Sequence, residues 1–356
     1  MKQKIAIVLA IFLPLQILLN RILANNPLLV EKWYSNGIYP VTSALLRRTI
    51  GFLPFSLGDF LYALLVIMTI RWLYFRINQR FRDPKRWILN SVAMISLIYF
   101  SFNLFWGFNY YRLPLHAALK IDNEYTTEEL IELTRDLIAT SNEFHLSITG
   151  NDSVKVDIPY SKSQILELSI LGYENIEDDF PELDYEIPSL KRSVYSIPLT
   201  YMGFNGYLNP ITNEGQVNTQ IVPYKIPTTA SHEIGHQLGF AKENEANFLA
   251  CLTTMNHPDK YFNYSGYTFA LSYCLSELYR RDPELTEELV EKLNFGVKEN
   301  YREVREFWEG HKNPFEPMFM SIYDSFLVAN NQPEGMKSYS YVVALLVNYH
   351  KSRGQL

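Results

Sequence analysis

The stretch SHEIGHQLGFAKENEANFLA, Ser231 to Ala250, carries two histidines four residues apart, a glutamate directly after the first, and two further glutamates close behind. Residues four apart share one face of a helix, so His232 and His236 can offer imidazole nitrogens to a single ion, about 2.0–2.1 Å from each if the ion is zinc. Glu233 lies about 100° around the helix from His232; it cannot join that face, but it can reach a water on the open side of the ion. Two ligands and a general base would stand in this way. Zinc draws the pKa of such a water towards about 7, Glu233 accepts its proton as the oxygen attacks a peptide carbonyl, and the same carboxyl returns the proton to the leaving amine. A third protein ligand is needed, and Glu243 and Glu245 compete for the place. Glu243 shares a helical face with Asn247, so one can bind the ion while the other steadies a ligand histidine, whereas Glu245 lies about 200° from Glu243. Glu243 is the expected ligand, Glu245 the alternate, and Asn247 the expected support. The other histidines, His116, His145, His257, His311 and His350, have no partner at ligand spacing and read as surface or core groups.

Such a pair needs a helix, and the flanking residues supply its ends. Pro227, Thr228 and Thr229 stand where a helix begins, and Gly239 where one stops. From Ser193 to Tyr224 short strands broken by turn residues predict a small sheet, with Gly215 to Tyr224 a candidate edge strand beside which an extended peptide could pair. Two helices precede it: TTEELIELTRDLIATSNEF, capped by Thr126 or Thr127, and SKSQILELSILGYENI, stopped near Gly172. Mainly helical segments follow the motif: Glu243 to Met255, TFALSYCLSELYRR, TEELVEKLNFGVKENYREVREFW and the C-terminal YSYVVALLVNYHKSR.

The chain has 356 residues, 47% of them hydrophobic and 15% aromatic, with the apolar runs concentrated in the first third. Three reach membrane-spanning length, about residues 5–21, 57–75 and 87–108. The first follows Lys2 and Lys4 and lacks a good cleavage site, which favours an uncleaved anchor over a secretory signal. The second carries Asp59 and Arg71 near its ends, and the third is flanked by Trp87, Trp106, Tyr110 and Tyr111 as an aromatic belt would have it. The short loop between them holds Arg76, Arg80, Arg82, Lys85 and Arg86, so the positive-inside rule places it in the cytoplasm and the remainder of the chain outside. The loop YPVTSALLRRTIGFLPFS before the second span is expected along the outer membrane surface. A net charge of −6 with no basic stripe excludes a nucleic-acid partner. Cys251 and Cys274 read as buried small hydrophobes, with a disulfide between them the alternative.

HEIGH followed by ENEAN resembles the zincin metallopeptidases, gluzincins in particular, whose second helix carries a ligand glutamate in a pattern such as E-x-x-A-D or N-E-x-x-x-D. The whole arrangement, three spans, GFNGYLNPITNEGQVN, the HEIGH motif and a C-terminal GMKSYSYVV, resembles an uncharacterised bacterial family of predicted membrane zinc peptidases. The resemblance implies an α+β zincin-like catalytic domain, mainly helical with a small sheet, and Zn2+ as cofactor. It also implies a Tyr or His that donates to the tetrahedral intermediate, for which Tyr339 in KSYSYVV is the candidate. The chain departs from the pattern twice. Lys242 stands at the third metzincin histidine and has no lone pair to give, and Asn247 stands where gluzincins place an aspartate, which removes a charge that raises ligand basicity.

The reading that follows is a membrane-anchored zinc metallopeptidase of the inner membrane. Residues 1–110 would form the membrane domain in the lipid bilayer and residues 111–356 an extracytoplasmic catalytic domain acting on peptides or proteins near the membrane. Two other readings share its residues: a zinc-containing membrane sensor or binding module without turnover, and an amidase acting on non-peptide envelope material. An intact Glu233 speaks against the first, since a structural zinc site has no use for a base.

Overall fold

A computed structural model of the protein describes residues 3–178, 180–336 and 341–354, so that Tyr339 lies outside the described residues. Three helices are long and apolar enough to cross a membrane: Gln3–Ala24, Leu57–Asn78 and Pro84–Phe105. The first and third pack along each other, and the few polar side chains between them find one another. Gln16 Nε2 donates to Ser96 Oγ at 2.8 Å and Asn20 Nδ2 to Asn103 Oδ1 at 3.0 Å, which gives these buried amide donors partners away from water. The second stands apart in its apolar stretch but is fastened at its N-terminal end. There Ser56 Oγ accepts from Asp59 N, and the Glu214 carboxylate accepts from Leu57 N at 3.1 Å and Gly58 N at 2.6 Å. A carboxylate at a helix N-terminus satisfies orphan amides and opposes the positive end of the dipole.

The polar region is mainly helical, as expected. Thr127–Thr149 starts from a capping box between Thr126 and Glu129 and lies along Lys260–Arg281. One large core joins them to Glu243–Met255 and the C-terminal Val342–Arg353, through residues such as Leu133, Leu137, Phe248, Leu271 and Leu345. Cys251 and Cys274 are buried in this core as free thiols, not a disulfide. Gly172 does not stop a helix; it sits inside the short helix Ile170–Glu174, where a Cβ would come within 2.5 Å of Thr253 O, so it allows close approach to Glu243–Met255.

The sheet has three strands, β1 (Leu190–Arg192), β2 (Gly206–Asn209) and β3 (Glu214–Val217), in the order β1-β3-β2. β1 runs parallel to β3, and β2 and β3 form a hairpin pairing Asn209 with Glu214. Two expectations are corrected. Residues 215–217 lie in the central strand, paired on both sides, and the chain from Asn218 to Tyr224 leaves the sheet, so Gly215 to Tyr224 offers no free edge; among the described residues β1 and β2 are the two edge strands, and β2 is the one whose Tyr207 and Leu208 line the cavity described below. Within the stretch read as strands, Ser196–Met202 is a helix, because Pro198 falls in its first turn, where the missing N–H removes no intrahelical bond.

The loop before the second span is helical over Tyr39–Ile50, and its buried face, Tyr39, Ser43 and Arg47, packs on the polar region. Val41 and Leu45 on the other side are exposed.

Candidate metal centre

The motif lies on the helix Ile226–Gln237. Its end is a Schellman motif: Gly239 adopts φ 92°, Gly239 N donates to His236 O at 2.9 Å and Phe240 N to Gly235 O at 3.1 Å. This turn brings Phe240 O to within 2.7 Å of His236 Nδ1. A carbonyl only accepts, so Nδ1 carries the hydrogen and the lone pair of His236 is on Nε2. His232 Nδ1 lies 2.9 Å from Asn247 Oδ1 on the next helix, and with the amide oriented that way its Nε2 is likewise free to ligate. The carbonyls that the helix end leaves over are met by residues from the N-terminal third. Tyr39 OH donates to Gln237 O at 2.9 Å, Arg47 Nη1 to the same oxygen at 3.1 Å, Trp106 Nε1 to His236 O at 3.2 Å and Arg112 Nη1 to Gly239 O at 3.1 Å. Two guanidinium groups at a helix C-terminus also complement its dipole.

Glu243–Met255 crosses the motif helix and brings the third donor. A Glu243 carboxylate oxygen lies 3.2 Å from His232 Nε2 and the other 3.7 Å from His236 Nε2, and donor atoms of the three residues lie within 4.8 Å of one another. The two imidazole nitrogens and the carboxylate are therefore close enough together to hold one metal ion. Burial opposes the charge on Glu243, but hydrogen bonds from the two histidines outweigh it and hold the carboxyl well below the usual range. Burial also lowers His236, yet the Glu243 carboxylate carries it up to about 9, while His232, next to that charge, is pushed down by burial. Glu245 is turned away: its carboxylate accepts from Leu115 N at 3.0 Å and faces Lys242 Nζ at 3.6 Å. The structure therefore brings together His232, His236 and Glu243, with Asn247 behind His232.

Glu233 is buried against the sheet. Its Oε2 has no hydrogen-bond partner among the described residues, and burial pushes its carboxyl up to about 8. A buried carboxylate oxygen left without a partner is costly unless something arrives to use it. Gly206 on β2 and Gly215 on β3 let the strands close over it; a Cβ on Gly206 would come within 2.4 Å of Glu233 Oε1.

These groups open into a cavity of about 740 Å³ whose wall includes Tyr62 and Phe102 from the spanning helices, Phe204 and Tyr207 beside or on β2, and Phe326. Tyr323, on the helix Glu316–Ala329, reaches the centre itself and donates from its hydroxyl to Glu243 Oε1 at 2.6 Å. Sequence reasoning passed over both residue and helix. The helical spacing of EPMFMSIYDSFLVA marks the helix, but nothing local marks one tyrosine among 25.

Neither a curated protein nor a solved structure matches the chain significantly. One family does match, over residues 34–347, described as "Protein of unknown function (DUF3810)". The chain belongs to that family.

Proposed function

We propose that the protein is a membrane-anchored, zinc-dependent peptidase of the zincin type, gluzincin-like in its ligands. One observation carries the reading: a compact set of two imidazole nitrogens and a carboxylate, beside a buried carboxyl with an unpartnered oxygen. His232 Nε2, His236 Nε2 and Glu243 would hold the ion. Zinc held there would acidify water and polarise a carbonyl. Glu233 takes the water's proton and passes it to the leaving amine; its raised affinity for protons suits a base that must also act as an acid. Among the described residues, Tyr323 is the hydroxyl we assign to the oxyanion, since it already stands at Glu243. The open side of β2 pairs with an extended peptide and lays it across the cavity mouth. A site with Glu233 intact and a cavity beside it favours turnover over a structural ion.

The three apolar helices anchor the domain, and the cationic loop from Arg76 to Arg86 supports a cytoplasmic loop with the catalytic region outside the inner membrane. Substrates are then peptides or proteins close to the bilayer. The test compares the protein N-termini of the cell envelope in cells carrying wild type or Glu233→Gln. New N-termini present only with wild type are expected, together with retained zinc in purified Glu233→Gln. Identical N-terminal profiles, with purified wild type inert towards a peptide library, refute the activity.

A further inference from the structure

The cavity holds one cation that the mechanism does not use. Lys225 precedes the motif helix, lines the same cavity as His232 and Glu233, and has no carboxylate partner among the described residues. Its ammonium lies 4.2 Å from the centre of the Phe269 ring. Phe269 and Tyr273 stack edge to face at 5.1 Å on the helix Lys260–Arg281 and line the same cavity. The ring face attracts the ammonium without neutralising it. Burial pushes the lysine down to about 8, which leaves it mostly charged at neutral pH. The threonine hydroxyls of the helix's first turn are already spent, since Thr228 Oγ1 and Thr229 Oγ1 both donate to Lys225 O at 3.1 and 2.9 Å. The site therefore offers a single ammonium in an apolar surround. That matches a singly charged carboxylate better than a phosphate, which calls for several donors or cations.

Position adds the rest. Lys225, Thr229, His232 and His236 follow one another at helical spacing, so they lie along one face. Seven residues separate Lys225 from His232, about 10 Å along the helix axis, which an extended peptide covers in roughly three residues at about 3.3 Å each. Resting on the peptidase reading above, we propose that Lys225 receives the C-terminal carboxylate of the substrate, so that the enzyme is a carboxypeptidase that releases fragments of two or three residues from free chain ends.

The test uses the full-length protein in detergent and two dye-labelled hexapeptide libraries of the same mixed composition, one ending in free carboxylates and the other in amides. Binding is measured by equilibrium dialysis on Glu233→Gln, and cleavage on wild type. The acid library should be retained about 10-fold or more above the amide library. Lys225→Met in the Glu233→Gln background should bring the acid down to the level of the amide, and Lys225→Arg should restore part of the preference. Wild type should release di- and tripeptides from the acid library. Equal retention of the two libraries, no retention of either, or a preference that survives Lys225→Met overturns the carboxylate site. A preference for acids that depends on Lys225, with no cleavage of either library, keeps the site and refutes the peptidase reading instead. Cleavage without di- or tripeptide products refutes the register inferred from the helix.

Discussion

Gly206→Ala should damage the proposed chemistry while sparing the metal. A methyl at this position would meet Glu233 Oε1 at 2.4 Å and Gln216 O at 2.6 Å. Ordinary contact begins near 3.4 Å, so the Glu233 carboxyl must retreat by about 1 Å and the β2–β3 pairing must also give way locally at Gln216 O. The carboxyl is the softer partner, because the Gln216 carbonyl is fixed in the central strand. A 1 Å misplacement of a reacting group costs about 100-fold in rate, and overpacking a filled site costs about 1–3 kcal/mol of stability. Glu233 is not a ligand, so zinc per chain should stay at the wild-type value. The assay is turnover of a peptide identified from the envelope comparison, alongside zinc content by mass spectrometry and thermal melting of the detergent-solubilised protein. Turnover within 3-fold of wild type would refute the idea that Gly206 holds Glu233 in place. Loss of zinc with turnover reduced in proportion would show instead that the substitution acts through the fold.

Glu243→Ala and Glu245→Ala should separate cleanly. The first removes one of three donors and should weaken zinc affinity by more than the roughly 10–100-fold typical of an outer-shell change, while the second should leave affinity unchanged; competition with a chelator reads both, and the reverse order rejects the ligand set. Tyr39→Phe removes a buried hydroxyl that donates to Gln237 O and accepts from Asn213 Nδ2 at 2.9 Å, so stability should fall by about 1–3 kcal/mol; an unchanged denaturation midpoint would mean that the Tyr39–Ile50 helix does not hold the motif helix. Alkaline phosphatase fused after Tyr111 should be active and within the Arg76 to Arg86 loop inactive, and the opposite pattern inverts the topology.

What the sequence made legible follows from local periodicity. His232 and His236 share a face because they are four apart, and the apolar runs are long enough to be recognised without partners. Glu243 and Glu245 could be told apart only by helix phase, and the start of the second helix at Glu243 put one of them at the histidines and the other at Leu115 N. Other features depend on pairings that no window contains. Strand alternation does not say how many neighbours a strand has, so the central β3 looked like an edge. Tyr323 meets Glu243 across 80 residues of chain, and Tyr39 meets Gln237 across 198. The boundary near residue 110 was likewise drawn where hydropathy changes, although Trp106 and Arg112 on either side of it both bond the end of the motif helix.

The capping of that helix has a consequence for how the protein is made. Tyr39, Arg47, Trp106 and Arg112 leave the ribosome well before His232, and Trp106 and Arg112 follow directly on a helix long and apolar enough to cross a membrane. Until they are in place, Gln237 O and Gly239 O at the end of the motif helix lack their buried donors. A chain whose N-terminal third was misplaced would therefore leave the end of the motif helix uncapped. On the proposed reading, the order of synthesis would keep the centre from being completed before its anchor is in place.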